Sequence, residues 1–226
     1  MEPDSGLTPE GGASTSAADL KRLRSADVAD AAEKLTSRRC HMSSAIRMVE
    51  GGTAAGPAQT LHLVEDESAP VMTLGLGVLR AIEAAPASSI LVVVVENGAD
   101  FAAFGATLGV LMKVRQLAGL VVDGSVRDRL ELRQIQLPTF ARGTAAGSAG
   151  GHYRLASVNE PLVCGGVEVR PGDLIVGDED GVAVVPQARQ KEVLDLADRI
   201  QSEESELLQR IEAAGSYLKL LSNEGA

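Results

Sequence analysis

The stretch between residues 88 and 128 constrains the fold most, because two apolar runs there flank a segment with helical spacing. The first run is "SSILVVVVEN" and the second is "GLVVD". Valine-rich runs without polar alternation are typical of strands buried on both faces of a parallel sheet. Between them, "ATLGVLMKVRQLAG" repeats apolar residues at helical intervals and is predicted to be a helix that ends at Gly119. The stretch therefore predicts a β-α-β unit.

An adjacent arginine and aspartate, Arg127 and Asp128, follow the second strand of this unit in "GSVRD". A right-handed crossover makes the two strands parallel and brings their carboxyl ends to one edge of the sheet. Open α/β sheets bind their ligands at that edge. The start of the intervening helix, Gly105–Leu108, is expected at the same edge, where its free amides and the helix dipole favour an anion such as a carboxylate.

The two charged residues suit different parts of an oxo-acid complex. Arg127 can clamp a carboxylate through two parallel hydrogen bonds. Asp128 can hold a hard divalent cation through oxygen, with water in the other positions. The alternative is a surface turn with a solvated charge pair. The candidate site therefore contains these two residues and the residues that start the helix, which are Gly105, Ala106, Thr107 and Leu108.

Elsewhere the chain alternates predicted helices and strands. "SADVADAAEKL" is predicted to be a first helix with Ser25 as its N-cap, and "VMTLGLGVLRAIEAA" a second helix that stops near Pro86. "GPAQTLHLV" and "LPTFARG" are predicted strands, and "GADFAAFG" is predicted to be a loop. Turns at "PGD" and "EDG" divide residues 166–186 into three short strands. One long amphipathic helix is predicted from Gln187 to about Ser222.

This order of elements predicts an α/β fold with mixed sheets in a single domain, followed by a long C-terminal helix. Residues 1–18 are rich in Gly, Ser, Thr, Pro and Glu and are predicted to be a disordered leader. The α/β domain is assigned to residues 19–186. The C-terminal amphipathic helix and tail are assigned to residues 187–226.

The formal net charge of −10 argues against a nucleic-acid partner, because phosphate binding needs a basic surface. No apolar run reaches the length of a membrane span, and the first residues lack the pattern of a secretory signal. Cys40 and Cys164 show no metal-ligand spacing and are predicted to be reduced, partly buried residues of a cytoplasmic protein. A single disulfide between them stays open as an alternative.

Three segments in sequence order carry a family resemblance. They are "KVRQLAGLVVDGSVRDRLEL", "LPTFARGTAAG" and "VNEPLVCGGVEVRPGDLIVGDEDGVAVVP". Together they resemble the family of 4-hydroxy-4-methyl-2-oxoglutarate aldolase and regulator of ribonuclease E activity A. The resemblance extends from about Asp27 to Ala197 and is most specific in the second half.

The resemblance implies a swivelling β/β/α-type domain that assembles into homotrimers, sometimes paired into hexamers, with the site between subunits. It implies a class II pyruvate aldolase or oxaloacetate decarboxylase that requires Mg²⁺ or Mn²⁺ and forms an enolate. Asp128 would be the metal ligand. Arg127 would bind the substrate and stabilise the enolate, and the amides at the start of the Gly105 helix would hold the pyruvyl carboxylate.

The chain departs from the aldolase pattern at one position. Aldolase members carry an acidic residue with twenty residues between it and the Arg-Asp pair, and this chain has Ala106 there. Regulator members also lack that acid, but they carry an acid three residues after the pair, as Glu131 does here. Asp100 and Glu96 in the preceding loop are alternative acids.

Three functions from different classes follow. The first is a metal-dependent lyase acting on a small oxo-acid, supported by the intact Arg127–Asp128 pair. The second is a non-catalytic regulator that acts through protein contacts, supported by Ala106 and the acidic composition. The third is a family member repurposed for specialised metabolism, supported by the divergent segments "HMSSAIRMVEGG" and "ENGADFAAFG".

Overall fold

The structure is a computed structural model that describes Arg22 and residues 24–224. The predicted leader, residues 1–18, lies outside the described residues. The helices are α1 (Ser25–Thr36), α2 (Val71–Ala84), α3 (Ala106–Val114), α4 (Arg129–Ile135), α5 (Gln190–Ala214) and α6 (Tyr217–Glu224). The strands are β1 (Arg47–Glu50), β2 (Ala54–Glu65), β3 (Ile90–Val95), β4 (Phe101–Phe104), β5 (Gly119–Val126), β6 (Thr139–Thr144), β7 (Gly147–Ser148), β8 (Tyr153–Val158), β9 (Leu162–Cys164), β10 (Val167–Val169), β11 (Leu174–Asp178) and β12 (Gly181–Val185).

A mixed sheet organises the molecule, as the sequence predicts. In the described part of the chain, ten strands form this sheet, and its main path runs β1-β6-β5-β3-β2-β11-β12. Strands β2, β3, β5 and β6 are parallel neighbours, whereas β11 and β8 pair with β2 in the antiparallel sense. Strands β9 and β10 form a separate hairpin. The predicted α/β class with mixed sheets and a long C-terminal helix is therefore confirmed.

The predicted β-α-β unit is present, with two differences in its connections. Strands β3 and β5 pair in parallel from Ile90 opposite Gly119 to Val94 opposite Asp123. Helix α3 ends at Val114 and not at Gly119, since Gln116 adopts a left-handed backbone conformation with φ 58°. The predicted loop "GADFAAFG" is also wrong, because it contains β4, which extends the parallel pairing along β5.

The helices cover different parts of the sheet. Helices α2, α3 and α4 contribute Val78, Met112 and Leu132 to one apolar cluster, which also contains Leu91 and Val122 of the strands. Helices α1 and α5 pack on β11 and β12 through a second cluster. Helices α3 and α4 begin within three residues of the carboxyl ends of β4 and β5, so both helix starts lie at the same edge of the sheet.

The C-terminal segment differs from the single helix predicted for it. A 3₁₀ turn precedes α5, and α5 ends where Gly215 adopts a left-handed conformation with φ 64°. Helix α6 then begins at Tyr217. Val193 and Ala197 are buried in the cluster shared with α1, so the first half of α5 belongs to the core of the domain.

The predicted N-cap role of Ser25 is wrong. Ser25 is the first residue of α1, and its amide and hydroxyl both donate to the carboxylate of Asp178, at 2.7 and 2.6 Å. Asp178 is the last residue of β11, and the β11–β12 turn that follows it was predicted correctly as a turn between strands. A carboxylate distant in sequence therefore caps α1.

Cys40 and Cys164 are free thiols, and both are fully buried, whereas partial burial was predicted. Among residues 24–224, no helix combines the length and the apolar composition needed to cross a bilayer.

Candidate functional site

The adjacent ends of β4 and β5 build the candidate site. The backbone amide of Arg127 donates to the carbonyl of Phe104 at 2.9 Å, which fixes the end of β5 beside the end of β4. Gly105 follows β4 directly and precedes α3. The β4–β5 pairing therefore sets the start of α3 against the Arg127–Asp128 turn.

Asp128 contacts both helices of the site. Its Oδ2 accepts a hydrogen bond from the amide of Ala106 at 2.9 Å, and its carbonyl accepts one from the amide of Leu132 at 2.9 Å in α4. Its backbone is left-handed, with φ 60°, which Asp tolerates better than most residues. The carboxylate thus caps α3, while the main chain of the same residue begins α4.

Gly105 is required by this geometry. A Cβ at this position would fall on Oδ2 of Asp128 and would lie 3.0 Å from Cγ of Arg127. Any other residue would therefore push the carboxylate away from the start of α3.

Arg127 is only loosely paired with its neighbour. Its Nε lies 3.8 Å from Oδ2 of Asp128, and the two side chains are 43% and 38% exposed. This separation is longer than a hydrogen bond. Among the described residues, no hydrogen bond from the Arg127 guanidinium is recorded, so its donors are available to an anion.

The predicted helix-start residues lie at the same place. The first amides of an α-helix have no intrahelical acceptor. Asp128 takes the amide of Ala106, which leaves those of Thr107 and Leu108 for a ligand. The structure therefore brings all six candidate residues together, while their roles in binding or catalysis stay predictions.

A cleft of about 320 Å³ opens beside these residues. Its charged lining residues are Arg127 and Asp128, and most of the others are apolar or small. They come from α2, from the β4–α3 segment and from the end of β7 with the loop after it, and they are Val71, Met72, Leu74, Gly75, Leu76, Val78, Leu79, Ala102, Ala103, Gly105, Thr107, Leu108, Ser148, Ala149 and Gly150.

Asp128 fits a largely hydrated divalent cation. Within residues 24–224, no group of three or more His, Cys, Asp or Glu side chains gathers in a way that could hold a metal. Mg²⁺ keeps several waters and often uses one or two carboxylates. Oδ1 of Asp128 has no recorded partner in the described chain, so one carboxylate oxygen remains for such an ion.

The alternative acids lie apart from the cleft. Glu96 accepts the amide of Glu65 at 3.1 Å, and neither Glu96 nor Asp100 is a lining residue. Glu131 is exposed in the first turn of α4. Asp128 is therefore the one carboxylate among the described residues that line this cleft, and no second acid takes the place that Ala106 leaves empty.

A buried carboxylate from another strand fixes α4. Glu50, at the end of β1, is 7% exposed and accepts hydrogen bonds from Arg129 at 3.2 Å and from Arg133 at 2.9 Å. The Arg133 hydrogen bond, opposed by burial and supported by Arg129, holds the pKa of Glu50 below its usual value. This pair of contacts orients the helix that Asp128 begins.

Sequence reasoning missed two walls of the cleft. The wall from α2 starts at Val71, and the second wall is Ser148 at the end of β7 with the two residues that follow it. No local motif links either segment to the Arg-Asp turn. Strand β4 is the part of the cleft that has a local pattern, because burial alternates along it and Ala102 and Phe104 are the buried residues.

Comparisons with known proteins agree with this architecture. The family model described as RraA-like, Aldolase/RraA, matches residues 25–184. A Halalkalibacterium halodurans protein named "Putative 4-hydroxy-4-methyl-2-oxoglutarate aldolase" is 33% identical over 178 residues, which cover 78% of this chain and 79% of that protein.

Two solved structures are similar across most of their length. Streptomyces coelicolor RraAS2, described as an unusual member of the RNase ES inhibitor RraA protein family, superposes with a TM-score of 0.72 at 29% identity. The match covers 86% of this chain and 95% of RraAS2. An uncharacterized protein of Pseudomonas syringae pv. tomato superposes with a TM-score of 0.76 at 26% identity, covering 90% of this chain and 94% of that one.

Proposed function

Because the chain belongs to the RraA-like family of aldolase and RraA proteins, we propose that it is a divalent-metal-dependent carbon–carbon lyase that acts on a small 2-oxo acid. The observation that carries this proposal is the meeting of Arg127, Asp128 and the start of α3 at one edge of the sheet. The reaction is an aldol cleavage or the decarboxylation of an acid such as oxaloacetate. The name of the Halalkalibacterium halodurans relative supports the same class.

The role proposed for each residue of the site follows from its charge. The amides of Thr107 and Leu108 bind the substrate carboxylate, since they lie at the positive end of α3. Arg127 neutralises the negative charge that develops on the keto oxygen when the carbon–carbon bond breaks. Asp128 holds Mg²⁺ or Mn²⁺ through its free oxygen. When bound, the ion supplies Lewis-acid polarisation of the keto group.

We further propose that the protein is a homotrimer or a hexamer, with the site next to a subunit interface. Val71, Met72 and Leu76 on α2 are 64%, 68% and 46% exposed, and they adjoin the cleft. Large apolar side chains exposed together are typical of protein contacts. A neighbouring subunit would cover them and would enclose the site.

The direct test is pyruvate formation from oxaloacetate with Mg²⁺ or Mn²⁺, followed by a coupled assay in wild type and in Asp128→Asn. The asparagine keeps an oxygen for the amide of Ala106 but removes the charge that the ion needs. We expect metal-dependent turnover that falls at least about a hundredfold in Asp128→Asn. Arg154→Gln, which changes an arginine outside the cleft, is the matched control. Equal turnover in wild type and Asp128→Asn would refute the proposal.

Ala106 favours a second candidate, a non-catalytic regulator that acts through protein contacts. An alanine there supplies no carboxylate to move a proton, and RraAS2 is described as belonging to a ribonuclease inhibitor family. The two candidates differ in an Ala106→Glu variant. A lyase that lacks only this acid would gain activity in the variant. A regulator would stay inactive toward oxaloacetate, and the wild-type protein would inhibit an RNase E-type ribonuclease.

A further inference from the structure

A second cleft, of about 420 Å³, lies between the end of α1, the β9–β10 hairpin and the turn before α5. It shares no lining residue with the cleft at Asp128. Four of its lining residues are arginines, namely Arg38, Arg39, Arg170 and Arg189. We call it the arginine cleft.

The charge of this cleft is opposite to that of the chain. Its four arginines are accompanied by two acidic lining residues, Glu168 and Asp173, although the whole chain carries a formal charge of −10. Asp173 is buried, and its two oxygens accept the backbone amides of Arg170 and Gln187 at 2.8 and 3.0 Å. No ion pair from Asp173 to a guanidinium is recorded among the described residues. Arg170 pairs with Glu168 at 2.6 Å and Arg189 with Glu192 at 2.8 Å, whereas no ion pair of Arg38 or Arg39 is recorded among the described residues.

Several guanidinium donors in the cleft have no acceptor. In the described chain, no hydrogen bond from the Arg38 side chain is recorded. The Nε of Arg189 is buried without a hydrogen-bond partner among the described residues, although its Nη2 donates to Glu192 at 2.8 Å. Arg39 uses its Nε on the carbonyl of His41 at 2.9 Å. The Nε of Arg189 is the buried member, and an unpaired buried donor costs stability, whereas the exposed heads of Arg38 and Arg39 are open to an anion from solvent.

The local backbone explains why the arginines can gather without a ligand. Arg38 and Arg39 follow the C-terminus of α1, where free carbonyls create a partial negative charge. Gly166 turns the β9–β10 hairpin toward the cleft with φ 80°, a left-handed conformation that favours glycine. The cleft is therefore built from three separate segments that converge on one place.

From this convergence we propose that the arginine cleft binds a phosphorylated small molecule through its phosphate or diphosphate group. Guanidinium forks match the tetrahedral oxygens of phosphate, which accept several hydrogen bonds at once. A volume of about 420 Å³ accommodates a small phosphorylated metabolite. The site is independent of the proposed lyase chemistry and would persist in a protein without that activity.

The test is calorimetric titration of the full chain with inorganic pyrophosphate. Arg38→Gln removes a guanidinium that bonds no described residue, so the fold should survive. We expect saturable binding to wild type and an affinity about tenfold lower in Arg38→Gln. Arg80→Gln is the matched control, because the structure records no hydrogen bond or ion pair of Arg80 with described residues, and α2 lies outside this cleft. Its affinity should stay within about twofold.

Four results would overturn the proposal. The first is the absence of saturable pyrophosphate binding to wild type. The second is an equal loss in Arg38→Gln and Arg80→Gln, which would indicate a general charge effect. The third is loss of binding in Arg127→Gln with none in Arg38→Gln, which would place the anion at the other cleft. Citrate should bind more weakly than pyrophosphate, and equal binding would refute the assignment to phosphate.

Discussion

Asp128 joins two helices through a single side chain and its own carbonyl, so its structural and chemical roles must be separated experimentally. Asp128→Ala removes the acceptor of the Ala106 amide and places alanine at φ 60°. We expect a loss of about 1 to 2 kcal/mol in the free energy of unfolding, measured with urea. Asp128→Asn keeps an acceptor and tolerates this conformation, so its loss should be about 0.5 kcal/mol or less. Equal losses in the two variants would contradict the capping role.

Gly105 permits the contact that Asp128 makes. In Gly105→Ala the new methyl group would displace the carboxylate, and we expect a loss of about 1 to 3 kcal/mol in unfolding free energy. Gly143→Ala is the control, since a Cβ there has no other atom within 4 Å. If both variants unfold at the same urea concentration, the close approach at Gly105 is not what holds this turn.

Residue-scale prediction succeeded where the pattern was local. Arg127 and Asp128 stand at the end of a strong apolar run, so their place at the sheet edge could be predicted. Ser25 shows the limit of the same approach. It is a preferred N-cap type just before an apolar pattern, but the acceptor that caps α1 is Asp178, 153 residues away. The sequence alone contains no signal that pairs these two residues.

The α4 element depends on the buried Glu50. Its pKa is lowered by Arg133 and Arg129, so its stabilising effect is complete above its ordinary value near 4.5. The effect is lost as pH falls through the lower folded-state pKa. We expect Glu50→Gln to lose about 1 to 2 kcal/mol at pH 7. Its urea stability should also fall less steeply than that of wild type on acidification below about pH 5.

Glu131→Gln is the control for this element, because Glu131 is exposed in the first turn of the same helix. Its stability at pH 7 should change by about 0.5 kcal/mol or less. A Glu50→Gln variant that kept the acid sensitivity of wild type would show that other carboxylates dominate.

Element boundaries were predicted less well than the elements themselves. Strands β3 and β5 are long apolar runs, so their strand conformation could be predicted from the sequence without knowledge of their tertiary contacts. Strand β4 is the short sequence Phe-Ala-Ala-Phe between Asp100 and Gly105, and it becomes a strand because β5 extends beyond β3 and offers a free partner. The break between α5 and α6 occurs because Gly215 readily adopts a left-handed backbone. The apolar residues continue at helical intervals on both sides of Gly215, so the sequence pattern did not reveal this break.

On the scale of the whole molecule, the exposed apolar face of α2 should determine assembly. We expect wild type to elute with at least three times the chain mass, and Met72→Glu to shift toward the monomer, as measured by light scattering. A charge at a 68% exposed position should leave the monomer fold intact if no subunit covers it. Leu218→Glu, on the 78% exposed side chain of α6, is the control and should keep the mass of wild type. A monomeric wild type would refute the proposed assembly.

The whole fold could be predicted at the level of class, because the parallel strands and the late β-rich segment appear in the sequence as separate patterns. The cleft could not. Its walls come from α2, from β4 and from the end of β7 with the loop after it. These segments are far apart in the sequence and meet only because of the order of the strands in the sheet, in which β4 pairs with both β5 and β7.

The hydrogen bond between the Ala106 amide and Asp128 also offers a direct spectroscopic reading of the site. A charge-assisted hydrogen bond from an amide to a carboxylate shifts the resonance of the amide proton in a nuclear magnetic resonance spectrum. Any cation that draws charge from that carboxylate must weaken the bond and move the resonance. A titration followed at this one peak would report occupancy without substrate, turnover or an engineered label.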